Sequence, residues 1–314
     1  MQDVFIGVDV SKDTLDIAGS PGKAHLSIVN GQCEIRRWLK SLPPGACVAM
    51  ESTGRYHQLL AKLARAAELH VYVLNPKRIW HAARGDGRRS KTDRIDAQVI
   101  AKFLQDHIAD LHEWCPGTGL QSEILVFERR HQCLERHCSA MLSSMQDVDG
   151  LDDELEQFKQ SIKSMLQAVE LRIQLLVAQD DEMAHKSALL TSVPAIGQRS
   201  AASLAALFGR LPFTRSDSVV AFIGIDVRAS DSGTHRGRRR LTKIGPAYLR
   251  KQVWLMGFVA THTKVYKPFY EALRARGLDF TEAAMILGRR ILRIAWAVWR
   301  TDKPFDPHLV GKRA

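Results

Sequence analysis

A mixed α/β domain followed by a mostly helical remainder is the fold class that this sequence predicts, on three observations. Short β-branched runs alternate with amphipathic stretches over the first third of the chain. A heptad-like apolar seam runs through the middle. The last third reads as helix, opened by a Pro-x-x-Gly turn between two apolar stretches. The expected organisation is an α/β domain at 1–112, a helical, coiled-coil assembly region at 113–185 and a mostly α-helical domain at 186–314.

The elements follow in order. VFIGVDV (4–10) is a strand, and TLDIAGS and AHLSIV are two further short strands. CEIRRWLKSL has helical apolar spacing. ACVAMES (46–52) is a strand, YHQLLAKLARAAEL a helix, and HVYVLN (70–75) a fifth strand closed by Pro76. Three strands in succession, then helix alternating with strand, give a mixed sheet. TDRIDAQVIAKFLQD is a helix with Thr92 as its expected N-cap. In the middle region Leu151, Leu155, Phe158, Ile162, Leu166, Val169, Ile173 and Leu176 are spaced 4, 3, 4, 4, 3, 4, 3. That is a heptad seam with one stutter, read either as a helix packed on its own domain or as a dimerising coiled coil. The turn in TSVPAIGQRSAASLAALFG (191–209) resembles half of a helix-hairpin-helix, which offers backbone amides to a phosphate; a plain tight turn explains it equally.

The net charge of +11 and a pI of about 9.6 point to a polyanionic partner, nucleic acid before an acidic membrane surface. Five cysteines without framework spacing argue against a disulfide scaffold and for a reducing compartment. No basic stretch precedes an apolar run at the start, and no run approaches the roughly 18 apolar residues of a membrane span. A cytoplasmic, nucleoid-associated location is expected.

Four acids stand out. Asp9 and Glu51 follow apolar strand runs and precede polar turns, where side chains line the ligand crevice of α/β sheets. Asp93 and Asp96 open a helix three residues apart and so share a face. Acids in a first helical turn also suit the macrodipole, which accounts for either one singly. Carboxylates of this kind suit Mg²⁺ or Mn²⁺, and two such ions clamp the attacking and leaving oxygens of a phosphodiester. Lys77, Arg78, Arg84, Arg88, Arg89, Lys91 and Arg94 surround them and would hold the phosphate backbone.

A second basic concentration, residues 227–251, holds Arg236, Arg238, Arg239, Arg240, Lys243, Arg250 and Lys251 after a small, polar run with Ser230, Ser232, Gly233 and Thr234. It is read either as a loop contacting phosphates without chemistry or as a serine hydroxyl presented among guanidinium groups. Two decoys are set aside or ranked lower. GDGRRSKT (85–92) nearly spells a phosphate loop, but Ser90 stands where its second glycine is needed and no strand leads into it. GVDVSKDTLDIA resembles the first phosphate loop of actin-like sugar kinases, a rival at the level of fold. His131, Cys133, His137 and Cys138 match no common zinc spacing, and helix packing is the preferred reading.

GVDVSKDTLDIA, AMESTGRYHQLL, the run from VLNPKR to AQVIAKF, SVPAIGQRSAASLAALFG, FIGIDVRASDSGTHRG and LTKIGPAYLRKQV occur in this order. Together they resemble the DEDD-type transposases of bacterial insertion sequences, a family that includes the Piv-type DNA invertases. The resemblance implies a RuvC-like, ribonuclease-H-type first domain with Asp9, Glu51, Asp93 and Asp96 as metal-binding acids. It implies a coiled-coil insertion for assembly as a dimer or tetramer, and a C-terminal transposase domain with a nucleophilic serine. By position that serine is Ser232; this chain has Ser-Gly-Thr-His where relatives carry Ser-Gly-Ser-Ser, which keeps Ser230 and Thr234 in play. Family members are similar in using a non-coding bridge RNA that pairs with donor and target DNA. Acids and serine coming from different protomers is a further implication. The rival functions are a junction nuclease using metal-activated water, a non-catalytic nucleic-acid scaffold and a kinase-like ATPase.

Overall fold

A computed structural model describes residues 4–20, 25–52, 54–85, 93–117, 119–228, 237 and 239–309. The chain divides into two compact units, 1–116 and 117–314.

In the first unit, strands β1 (Phe5–Val10), β2 (Thr14–Ser20) and β3 (Leu26–Val29) are followed by helix α1 (Gln32–Leu39). Then come β4 (Cys47–Glu51), α2 (His57–Ala66), β5 (His70–Leu74), α3 (Pro76–Gly85) and α4 (Asp93–His107). The expected strands are all present. Pro76, expected to close β5, also opens α3: its fixed φ and missing N–H suit a first helical position, a start signal as much as a stop. The sheet order is β3-β2-β1-β4-β5, antiparallel across β3, β2 and β1 and parallel across β1, β4 and β5.

Alternation along the strands gives the sheet two faces. Ile6, Val8, Val10, Leu15, Ile17, Val48, Met50 and Val71 pack with Ile35, Trp38 and Leu39 of α1 and Leu60, Ala61 and Ala64 of α2. The opposite face carries Cys47, Ala49, Tyr72 and Leu74, clustered with Ile79 of α3 and Val99, Ile100, Phe103 and Leu104 of α4. On that face α4 approaches β1 at Gly7. A Cβ there would stand 3.0 Å or less from Ala97 O, Ala101 N and Ala101 Cα, so only glycine admits the helix at this depth.

The second unit is helical: α5 (Gly119–Ser144), α6 (Asp152–Val177), α7 (Asp181–Thr191), α8 (Gln198–Arg210) and α9 (Ser216–Ile223). A two-residue pair, β6 (Val227–Arg228) with β7 (Arg240–Leu241), precedes α10 (Ala247–Ala260), α11 (Lys267–Ala275) and α12 (Phe280–Thr301). Asp180 caps α7 through the Met183 amide, and Asp279 with Glu282 forms a capping box on α12. The Pro-x-x-Gly turn joins α7 to α8, with Ala195 in the left-handed region at φ 74°. The heptad seam of α6 is used within the chain. Ile173 and Leu176 are buried, and Phe158, Ile162 and Leu166 line a cavity of about 390 Å³ shared with His131, Glu135 and Leu142 of α5. Among the described residues no helix is long and apolar enough to cross a membrane.

Candidate active site

The acids are placed by register. β1 and β4 run parallel with Gly7 opposite Ala49 and Val8 opposite Met50, so Asp9 and Glu51 continue the same ladder one step on. Both lie on the face that α4 covers, because Gly7 and Ala49 do. Asp9 stands near the C-terminal end of β1, and Glu51 is the last residue of β4; each is half-buried. Asp96, also half-buried, immediately precedes Ala97, the residue whose carbonyl abuts Gly7. The structure therefore brings Asp9 and Glu51 onto adjacent strands, with Asp96 on the helix laid across them. Each of these three residues has an interaction within the protein. The side chain of Asp93, first residue of α4, lies outside the described residues. Among the described residues no group of three or more His, Cys, Asp and Glu is gathered closely enough to hold a metal ion.

Sequence reasoning passed over one acid on the same face. β1 and β2 are antiparallel with Asp9 directly opposite Asp16, and Asp16 lies opposite Ser27 on β3. The hairpin turn carried the signal: with the four residues Ser11 to Thr14 between the facing ends Val10 and Leu15, residue numbers of facing pairs sum to 25, which puts 9 against 16. Asp16 accepts a hydrogen bond from His25 Nε2 at 3.0 Å, and its side chain is only 15% exposed.

Of the basic residues expected around the acids, Arg78 is half-buried, with its guanidinium 5.4 Å from the centre of the Phe103 ring. Arg88, Arg89, Lys91, Ser90 and the expected cap Thr92 lie outside the described residues, as do the side chains of Lys77, Arg84 and Arg94.

In the second unit, Ser230, Ser232, Thr234, Arg236 and Arg238 lie outside the described residues. The two ends of that segment are described, and they are tied together. Val227 faces Leu241 and Arg228 faces Arg240. The Thr242 amide donates to Asp226 O and the Lys243 amide to Gly224 O, both at 3.0 Å, and the Thr242 hydroxyl donates to the Asp226 carboxylate. Arg250 donates to Ile223 O at 3.2 Å and to Gly245 O. Gly245 presses on the carbonyl of Phe222 where any Cβ would collide. Arg250, expected on phosphate, thus helps to close this base. The exposed Lys251 donates to Glu135 of α5 at 3.0 Å. Arg239, Arg240 and Lys243 are exposed. Arg289 of α12, which composition gave no reason to choose, lies within electrostatic reach of Asp226; burial and the neighbouring Arg293 lower its pKa.

The His131 cluster is a packed polar network. His131 is 2% exposed and bonded to Arg199 at 2.6 Å and to Glu170 at 3.1 Å. Arg199 also reaches the buried Glu128 at 3.3 Å. Burial, then the Arg199 charge, push the His131 pKa below its ordinary value. Burial alone would raise Glu135, but the hydrogen bond from Lys251 and the Arg199 charge outweigh it and hold its carboxyl low. Cys138 is buried, and His137 pairs through Nε2 with Arg136 at 3.2 Å, so each of the two histidines meets an arginine.

Residues 6–148 match a DEDD-type family model described as "Transposase", and residues 187–271 match one described as "Transposase IS116/IS110/IS902 family". Over 98% of its length the chain is 22% identical to the pilin gene-inverting proteins of Moraxella bovis and Moraxella lacunata, covering 99% of each. It is 28% identical over 154 residues to an insertion element IS110 protein of Streptomyces coelicolor, an alignment covering 48% of this chain and 38% of that one. Both matched regions contain the motifs read above, the acids in the first and the serine segment in the second. The chain belongs to the DEDD-type transposases and recombinases of bacterial insertion sequences, and is an enzyme of DNA recombination.

Proposed function

We propose that the protein cleaves and exchanges DNA strands at insertion-sequence and target sites, with the acids of a RuvC-like first domain holding divalent cations and Ser232 as nucleophile. The observation that carries this reading is the shared face of Asp9 and Glu51 on adjacent parallel strands, crossed by the helix that begins with Asp93 and Asp96. Phe5 packs with the cluster formed by later turns of α4, which leaves the Asp9 end of β1 for its first turns. The order β3-β2-β1-β4-β5 supports the ribonuclease-H-type assignment.

By donor chemistry the four acids suit a hard divalent ion, Mg²⁺ or Mn²⁺; the three described ones are not gathered closely enough to hold it by themselves, so the reading requires them to draw together with Asp93 around the ion. The donor set is all carboxylate, it comes from three separate elements, and like charges on neighbouring strands call for a cation between them. Asp9, Glu51, Asp93 and Asp96 would hold it. Bound there, the cation supplies charge stabilisation to a phosphodiester under attack. The remaining chemistry belongs to the chain. The hydroxyl of Ser232 gives up its proton, its Oγ–P bond forms, a P–O bond to sugar breaks, and the departing oxygen takes up a proton. Strand exchange reverses these changes on another end. The tied base formed by Asp226, Thr242, Gly245 and Arg250 holds both ends of the serine segment together.

The basic excess supports DNA and a non-coding guide RNA as partners. Met165, Leu171 and Leu175 of α6 are more than half exposed and lie outside the seam used within the chain, which supports a homo-oligomer formed through the α5–α6 pair. Ser232→Ala should abolish an SDS-resistant protein–DNA adduct while RNA and DNA binding persist. Full recombination by that variant would remove the serine from the mechanism. Strand cleavage with no trappable adduct in the unmodified protein would favour the rival reading, hydrolysis by metal-activated water.

A further inference from the structure

We propose that Arg289 of α12 grips a phosphate of the DNA strand beside the serine segment, with Arg293 and Arg215 adding positive charge around it. This rests on the strand-transfer reading of that segment and adds to it a residue far away in sequence.

Helix packing sets the placement. α12 crosses α10 where two glycines leave no room for a side chain: a Cβ on Gly257 would collide with the Ala284 carbonyl, and one on Gly288 with the Val253 carbonyl. Arg289 follows Gly288 directly, so this contact fixes its backbone. α12 also packs on α9, the helix that leads through Gly224 and Ile225 to Asp226 and β6. One turn further along α12, Arg293 holds Asp217 of α9 through two hydrogen bonds, at 2.8 and 3.1 Å. Arg289 lies within electrostatic reach of both Asp217 and Asp226. Asp226 belongs to the tied base, so an anion held by Arg289 lies beside the two ends of the serine segment.

Neither carboxylate is left over for Arg289. Asp217 is bound by Arg293, with Arg215 at 4.0 Å. Asp226 accepts the Thr242 hydroxyl. Among the described residues, none closes on Arg289 in an ion pair or hydrogen bond. Three guanidinium groups thus share two carboxylates, and Arg289 and Arg293, four residues apart on one helix, repel each other. Half-buried, Arg289 has lost water without gaining a partner, and burial lowers its pKa. An arginine kept for structure would bond to an acid or a carbonyl, as Arg250 does to Ile223 O. A phosphate supplies the missing charge, and its oxygens match the planar fork of a guanidinium.

The test is the salt dependence of binding by the full-length protein, read by fluorescence anisotropy with a mixed-sequence DNA duplex and with an RNA hairpin. Arg289→Gln should weaken DNA binding about 10-fold or more and lower the slope of log affinity against log salt by about 1. Its melting temperature should be unchanged or raised, since an unmatched charge is removed. Arg37→Gln, which removes one exposed charge from α1, should leave the slope nearly intact. A slope equal to that of the unmodified chain, or a loss confined to the RNA, would overturn the inference. The serine reading is judged separately by the SDS-resistant adduct: an adduct that persists in Ser232→Ala removes the serine, while the Arg289→Gln slope still decides the phosphate contact. Should Arg289→Gln not fold, Arg289→Lys carries the test, because it keeps the charge and loses the planar fork. DNA affinity should then fall several-fold with the slope retained, and affinity equal to that of the unmodified chain would count against the inference.

Discussion

Gly7→Ala is the change most directed at the link between fold and site. The added methyl would meet the Ala97 carbonyl and the Ala101 amide, which are helix backbone and cannot rotate away, with Ala101 Cα at 3.0 Å. Restoring ordinary contact requires α4 to retreat from β1 by about 1 Å. Ala97 and Ala101 are 0% and 1% exposed, so the retreat opens a packed interface, and overpacking of this kind costs about 1–3 kcal/mol. The same displacement moves Asp96, next to Ala97, away from Asp9, and a misplacement of ~1 Å can cost about 100-fold in rate. Two assays separate these effects: thermal melting for stability, and Mg²⁺-dependent strand cleavage at a temperature where the variant remains folded. Gly31→Ala is the control, since the nearest atom to a Cβ there is a valine methyl at 3.8 Å. A Gly7→Ala protein that melts and cleaves as the unmodified chain does would refute the idea that α4 positions its acids through this contact.

Three other outcomes are expected. Asp9→Asn, Glu51→Gln and Asp96→Asn should each lose several kcal/mol of catalysis, on the order of a thousandfold, and EDTA should abolish cleavage by the unmodified protein; EDTA-insensitive cleavage would remove the cations from the mechanism. Arg250→Ala should lower stability by about 1.5–3 kcal/mol, because it strips charged hydrogen bonds from Ile223 O and Gly245 O, whereas Arg240→Ala on the exposed β7 should leave the melting temperature nearly unchanged; equal effects would mean the base is not held by Arg250. Acidification should loosen the second unit in two stages. His131 is held neutral below its ordinary 6.5, so the unfolded chain binds the extra proton and stability falls as pH drops below 6.5. Glu135 is held ionised below its ordinary 4.5, so its contribution is lost only as pH falls through that lower range. Melting curves of the chain and of His131→Gln between pH 8 and 4 check this (roughly the span over which both groups change); a variant with the same slope from pH 7 to 5 would exclude His131 as the source.

Most of the first unit was legible because its signals are local. Short β-branched and apolar runs bounded by polar residues marked β1 through β5, and the amphipathic stretches marked α1, α2 and α4. The segment after β5 was not, since Pro76 is compatible with either an end or a start until the chain around it is seen. In the second unit composition could not show that Arg250 and Lys251, which look like the rest of a basic run, are also bonded to Gly245 and Glu135. The His131 network was invisible for a related reason: its members come from α5, α6, α8 and α10, and no linear spacing encodes a meeting of four helices.

The acids lie between these extremes. Asp9 and Glu51 could be singled out because each ends an apolar strand, but nothing local says that they share a face. That follows from a register fixed one step earlier, by Gly7 opposite Ala49, two small residues that let α4 descend onto the sheet. The same pairing puts Asp16 beside Asp9 on the other flank. A one-residue slip of β1 against its neighbours would turn Asp9 into the apolar core of Val48 and Met50 and bring Val8 or Val10 up beneath α4. Burying a carboxylate there costs far more than the strand pairing returns, so the apolar pattern that builds the core also selects the register that assembles the acids. Fold and site are in this sense specified together, and a variant that preserves the alternation of β1 while moving its acid from position 9 to position 10 should fold poorly as well as fail to cleave.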